Sequence, residues 1–63
     1  MIAELMTADQ VAAETGRPLA TIRYWVATGT ELGPLSRRIG RRRVWRRADI
    51  ERWLADQFEG AAR

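Results

Sequence analysis

The sequence predicts a mainly α domain with one β-hairpin, in the order helix, turn, helix, hairpin, helix. Apolar residues recur at helical spacing in three short stretches. Only Gly16-Arg17-Pro18 separates the first two of these. Between the second and third, Ile39, Val44 and Trp45 are strand formers around a Gly40-Arg41 step suited to a two-residue turn.

The first helix is expected over about 8–15. Thr7 and Gln10 have capping-box spacing, and Leu5 and Met6 precede them as a hydrophobic staple. Ala8, Val11, Ala12 and Thr15 then form the apolar side, and Gly16 stops the helix. Pro18 suits the entrance of a second helix over about 19–28. Leu19, Ile22, Trp25 and Val26 make its inner stripe, while Ala20, Arg23, Tyr24 and Ala27 share another face. Gly29 to Pro34 reads as a loop by composition. The hairpin follows over about 35–46. A third helix is expected over about 47–58, with Ile50, Trp53, Leu54, Gln57 and Phe58 on one face and Asp49 and Glu51 in its first turn. Gly60 to Arg63 reads as a frayed tail.

Two short helices joined by three residues cannot lie antiparallel; they cross, and the second projects outward. Helix-turn-helix, two-stranded wing and C-terminal helix together define a winged helix-turn-helix. All 63 residues form one such domain. A chain this short buries only roughly 60% of its unfolded surface, so its core is small. Trp25 and Trp53 sit on apolar helix faces, and Trp45 is placed at the wing base.

Charge is unevenly distributed. Seven of the eleven arginines lie between Leu35 and Arg47, with no acidic residue among them. Residues 1–34 set two arginines against four carboxylates, and residues 48–63 do the same. The balance is −2, +7 and −2, which gives the net +3. A concentrated basic element on an acidic body is what phosphate-backbone binding requires, whereas solubility needs only scattered charges. Lysine is absent, and arginine has the better fork for phosphates and guanine edges.

The chain has no cysteine and no histidine. Disulfides and thiolate chemistry are therefore excluded, and so are the commonest general base and zinc ligand. Ser36 stands in a run of arginines with no base nearby, and Asp49, Glu51 and Asp56 lack metal-site spacing. The expectation is no catalysis, no metal, no cofactor and no small-molecule ligand. No apolar run approaches the roughly 20 residues of a membrane span, and no signal peptide is visible, so the expected location is the cytoplasm.

The residues LMTADQVAAETG at the first helix, TIRYW in the second and IGRRRVWRRADIERWL across the wing and last helix carry a resemblance. Over Leu5 to Leu54 the chain resembles the MerR-like winged-helix group, in particular the small excisionases and AlpA-type regulators of phages and mobile elements. Arg17-Pro18-Leu19 departs from the pattern, since relatives show a hydrophobic residue followed by a Ser or Thr cap. TIRYW is similar to the recognition helix of MerR regulators. Those proteins carry a dimerising coiled coil after the DNA-binding domain, which these 63 residues do not reach.

The candidate DNA contacts are Arg17, Ala20, Thr21, Arg23 and Tyr24 around the second helix, and Arg37, Arg38, Arg41, Arg42, Arg43 and Arg46 on the wing. In the major groove, the outward face of the second helix reads base edges, and the wing reaches phosphates or the neighbouring minor groove. Other readings stand beside these. Arg23 has Glu14 or Asp9 as alternative partners. Tyr24 either meets a phosphate or covers the core edge. Arg37 and Arg38 point to opposite hairpin faces, so one of the two faces DNA. Arg46 and Arg47 have Asp49 or Glu51 within reach. Arg41, Arg42 and Arg43 read otherwise as a solvated turn.

The resemblance implies sequence-specific binding of double-stranded DNA in a bacterial host's cytoplasm or nucleoid. Its preferred role is an excisionase, or recombination directionality factor, which bends attachment-site DNA and directs an integrase towards excision. Adjacent copies of the chain and an integrase are the implied protein partners. A small MerR- or AlpA-like transcriptional regulator is the alternative. A terminase small-subunit-like DNA recogniser and a protein-interaction adaptor are the remaining readings.

Overall fold

A computed structural model describes residues 4–61. Its elements are β1 (Leu5–Thr7), α1 (Ala8–Thr15), α2 (Leu19–Thr28), a single 3-10 turn (Gly33–Leu35), β2 (Arg37–Ile39), β3 (Arg42–Arg46) and α3 (Arg47–Ala61). The fold is a mainly helical winged helix-turn-helix. Its sheet has three strands rather than the two expected of a wing, antiparallel in the order β1-β3-β2. Leu5 and Met6, expected as a staple, belong to the added strand. Three residues are too few for a period-2 signal, and only pairing with β3, about forty residues away along the chain, makes them a strand.

Local chemistry sets the helix ends. The Thr7 hydroxyl accepts from the Gln10 amide at 3.3 Å, and the Gln10 side chain accepts from the Thr7 amide at 2.9 Å. This capping box satisfies two of the amides that a helix start leaves without partners. Thr7 therefore ends β1 and opens α1 at once. Pro18 caps α2 without a side-chain bond, and its carbonyl accepts from Thr21 at 3.0 Å.

The segment after α2 is more ordered than its composition suggests. Thr30 N–H donates to the Trp25 carbonyl at 3.0 Å, and Gly33 N–H to the Thr30 carbonyl at 2.8 Å. Glu31 takes φ 46°, a left-handed conformation that costs on the order of 1 kcal/mol or more outside glycine. The turn drives Leu32 fully into the core. Leu35, expected in the wing, belongs to the 3-10 turn that follows.

The hairpin closes through Gly40-Arg41, with Ile39 opposite Arg42. Gly40 has φ 61° while Arg41 keeps a negative φ, the pattern of a type II′ turn. Side chains alternate along β3. Arg43 and Trp45 fall on one face with Met6 and Arg38; Arg42, Val44 and Arg46 fall on the other with Leu5, Arg37 and Ile39.

The core takes one large side chain from nearly every element: Met6, Val11, Ile22, Leu32, Trp45 and Ile50. Ala8, Ala12, Trp25, Val26, Trp53 and Leu54 pack around it, half-buried. Trp25 and Trp53 meet as a tilted pair, with ring centroids 5.8 Å apart and planes at 55°. The expected inner face of α3 holds only to Leu54: Gln57 is exposed and Phe58 is 76% exposed. No described side chain covers them. The helix nevertheless runs on through Gly60 to Ala61, past the expected end at 58. One glycine costs about 1 kcal/mol in a helix interior, too little to stop it. Residues 62 and 63 of the expected tail lie outside the described residues.

Candidate nucleic-acid interface

Helix α2 packs its Ile22 side against the core and turns Ala20, Arg23, Tyr24, Ala27 and Thr28 to solvent. Thr21 is half-buried. Beside this face runs a groove between α2 and the hairpin. Arg23, Val26 and Ala27 line it from the helix, Arg41 and Arg43 from the wing, and Ile22 and Trp45 also border it. Of the predicted contacts, Arg23, Arg41 and Arg43 therefore share one concave surface, which Ala20, Thr21 and Tyr24 do not line. Ala27 was not among the predicted contacts, although its spacing of four from Arg23 was the available signal.

Hydrogen bonding separates the arginines into two groups. Arg17, Arg23, Arg41, Arg42 and, on α3, Arg52 make no ion pair and no side-chain hydrogen bond among the described residues. Neither Asp9 nor Glu14 engages Arg23, and Glu14 pairs instead with Arg47 at 3.2 Å. The other described arginines are tied to the protein. Arg37 donates to the carbonyls of Ser36 at 2.9 Å and Pro34 at 3.3 Å. Arg38 donates to the Gly40 carbonyl across the turn at 3.3 Å. Arg43 donates at 3.1 Å to the hydroxyl of Ser36, which itself donates to the Gly33 carbonyl at 2.6 Å. Arg46 forks onto Asp49, at 2.9 and 3.5 Å.

Arg47 links three elements. Its backbone amide donates to the Glu4 carbonyl, and its guanidinium reaches the carboxylates of Glu4, just before β1, and Glu14, in the last turn of α1. The hydrogen bond to Glu4 is the first reason its pKa is raised above the ordinary arginine value, followed by that to Glu14. Glu4, Glu14 and Asp49 are thus engaged with Arg46 and Arg47 at the root of α3, while the arginines at the α2–wing groove and the wing tip have no carboxylate partner among the described residues.

The hairpin register sorts the wing further. Arg38 and Arg43 lie directly opposite each other on the face that carries Met6 and Trp45. Two like charges in a cross-strand pair repel unless an anion lies between them. Arg37, Arg42 and Arg46 lie on the reverse face. The eleven predicted contacts therefore do not form one cluster.

Among the described residues, no group of three His, Cys, Asp or Glu side chains is placed to hold a metal ion. Among the described residues, no helix is long and apolar enough to cross a membrane. A family model described as a helix-turn-helix domain matches residues 5–57. No curated protein and no solved structure matches the chain.

Proposed function

The chain belongs to the helix-turn-helix domain family, and from that premise we propose that it is a phage or mobile-element excisionase that binds side by side in several copies and bends attachment-site DNA. The observation that carries the binding surface is that Arg23 and Arg41, unpaired among the described residues, line one groove. Arg23 stands on the exposed face of α2, and Arg41 faces it from the wing tip. With α2 in the major groove, Arg23 reads a base edge and Tyr24 lies at the backbone. Arg41 and Arg42 follow the phosphates beyond the groove wall. The opposed pair Arg38 and Arg43 gains from a phosphate, which removes the repulsion between them.

One reading helix covers few base pairs, so specificity rests on several copies. Bending 20–30 base pairs by about 40–90° costs of order 1–6 kcal/mol, which contacts shared between copies offset. An integrase then meets a changed DNA path rather than a new active site.

A mobility-shift titration on attachment-site DNA, with circularly permuted probes, tests this role. Successive cooperative complexes with growing bend are expected. One non-cooperative complex on unbent promoter DNA gives the chain to the transcriptional regulators instead.

A further inference from the structure

The reverse face of the sheet, away from the α2–wing groove, is apolar and open. Leu5 of β1, Val44 of β3 and Ile39 of β2 share it, and Leu35 from the 3-10 turn closes one side. Leu5 is 43% exposed and Ile39 57% exposed. The rim is basic: Arg37 and Arg42 lie on the same face, and Asp49 is neutralised by Arg46. A second apolar feature stands elsewhere on the chain. Phe58, on the overhanging part of α3, is 76% exposed, and from Trp53 to Glu59 the only charged side chains are Asp56 and Glu59.

We propose that this groove receives the Phe58 end of α3 from a neighbouring copy of the chain. The inference rests on the reading that several copies bind side by side, and names the surfaces by which they touch. Phe58 is too exposed to be filling the groove of its own chain. Its ring supplies the apolar cover that exposed Leu5 and Ile39 lack, and the acidic turns around it meet Arg37. A symmetric pairing of two α3 ends through Phe58 would instead bring Asp56 and Glu59 of both copies together, like charge against like. Knob and groove are different surfaces, so the contact is head-to-tail and does not close on itself; such contacts propagate along a line. Because the groove is on the reverse of the sheet, filling it leaves Arg23, Arg41 and Arg43 free for DNA.

The chain has no cysteine, so single cysteines report contacts cleanly. Pro34→Cys on the groove edge and Gln57→Cys beside Phe58 keep the contact residues; they are made separately in the full chain, mixed in equal amounts on a duplex carrying several sites, and treated with a short bis-maleimide. The expected product joins the two variants and forms poorly within either one alone. Efficient coupling of the Gln57→Cys variant to itself would place α3 against α3 and overturn the proposal. Absence of the mixed product, on a duplex that wild-type protein still fills cooperatively, would overturn the groove and leave the proposed function standing. Non-cooperative filling by wild-type protein is the distinct failure of that function, read from the titration alone. Phe58→Ser provides a second measurement. It should leave the affinity of the first bound copy unchanged and weaken cooperativity by on the order of tenfold, as removal of an aromatic anchor does. Unchanged cooperativity in Phe58→Ser would count against the contact.

Discussion

The indole N–H of Trp45 donates to the backbone carbonyl of Leu32 at 2.8 Å, inside the core. One bond thereby ties the central wing strand to the turn that leaves α2. Both side chains are buried, so the position of the wing relative to α2 is part of the core.

Trp45→Phe keeps most of the ring and removes the donor. The Leu32 carbonyl keeps its bond from the Leu35 amide at 3.2 Å, so loss of the indole donor should cost about 0.5–1.5 kcal/mol. In a domain of this size each kcal/mol lowers the melting temperature by roughly 4–8 °C. Trp45→Ala should cost about 3–5 kcal/mol and come close to abolishing folding. Trp53→Ala should cost less than Trp45→Ala, because its ring is only half-buried. Denaturant unfolding followed by circular dichroism checks the order. Equal losses at Trp45 and Trp53 would contradict this placement of the core.

Two glycines should respond in opposite senses. A side chain at Gly33 would overlap the Trp25 carbonyl, a backbone group that cannot step aside. Gly33→Ala should therefore destabilise the fold. At Gly60, inside α3, an added methyl meets nothing, so Gly60→Ala should stabilise by up to about 1 kcal/mol through helix propensity. Thermal melts of the two variants side by side decide it.

Arg41 and Arg42 have no partner within the described protein, so replacing both by Ala should leave the melting temperature unchanged. On duplex DNA the dependence of log K on log salt should become shallower by about 0.9 for each phosphate no longer neutralised. Specific and random sequences should weaken alike. Arg43→Ala should instead lower stability as well, because it removes a hydrogen bond to buried Ser36. Salt titrations by fluorescence anisotropy, paired with melts, separate the two.

Arg23→Ala tests base reading. Removing a bidentate hydrogen bond to a base costs about 1–3 kcal/mol on the cognate site and little on random DNA. Competition binding with both duplexes measures the difference. Equal weakening on both would make Arg23 a phosphate ligand, and no weakening would remove it from the interface.

Much of this molecule was legible along the chain. Thr7 with Gln10 marked the start of α1, Gly16 and Gly29 marked helix ends, and Ile22 and Ile50 marked buried faces at helical spacing. Gly40-Arg41 marked the hairpin turn. These signals act between residues a few positions apart, so residue type and spacing carry them. The charge run from Arg37 to Arg47 pointed to a basic wing on the same grounds. Tertiary structure decided the rest. Leu5–Thr7 is a strand only because β3 pairs with it. Leu32 is core because the turn at Glu31 and the close approach of Gly33 to Trp25 carry it inward. Phe58 has the spacing of a core residue and is exposed, because the body ends beneath Leu54. Among the arginines, sequence cannot tell a guanidinium free for DNA from one that holds the fold. Arg23 and Arg41 face an open groove, while Arg46 and Arg47 are taken by Asp49, Glu4 and Glu14, and Glu4 becomes a neighbour of Arg47 only when the chain has folded.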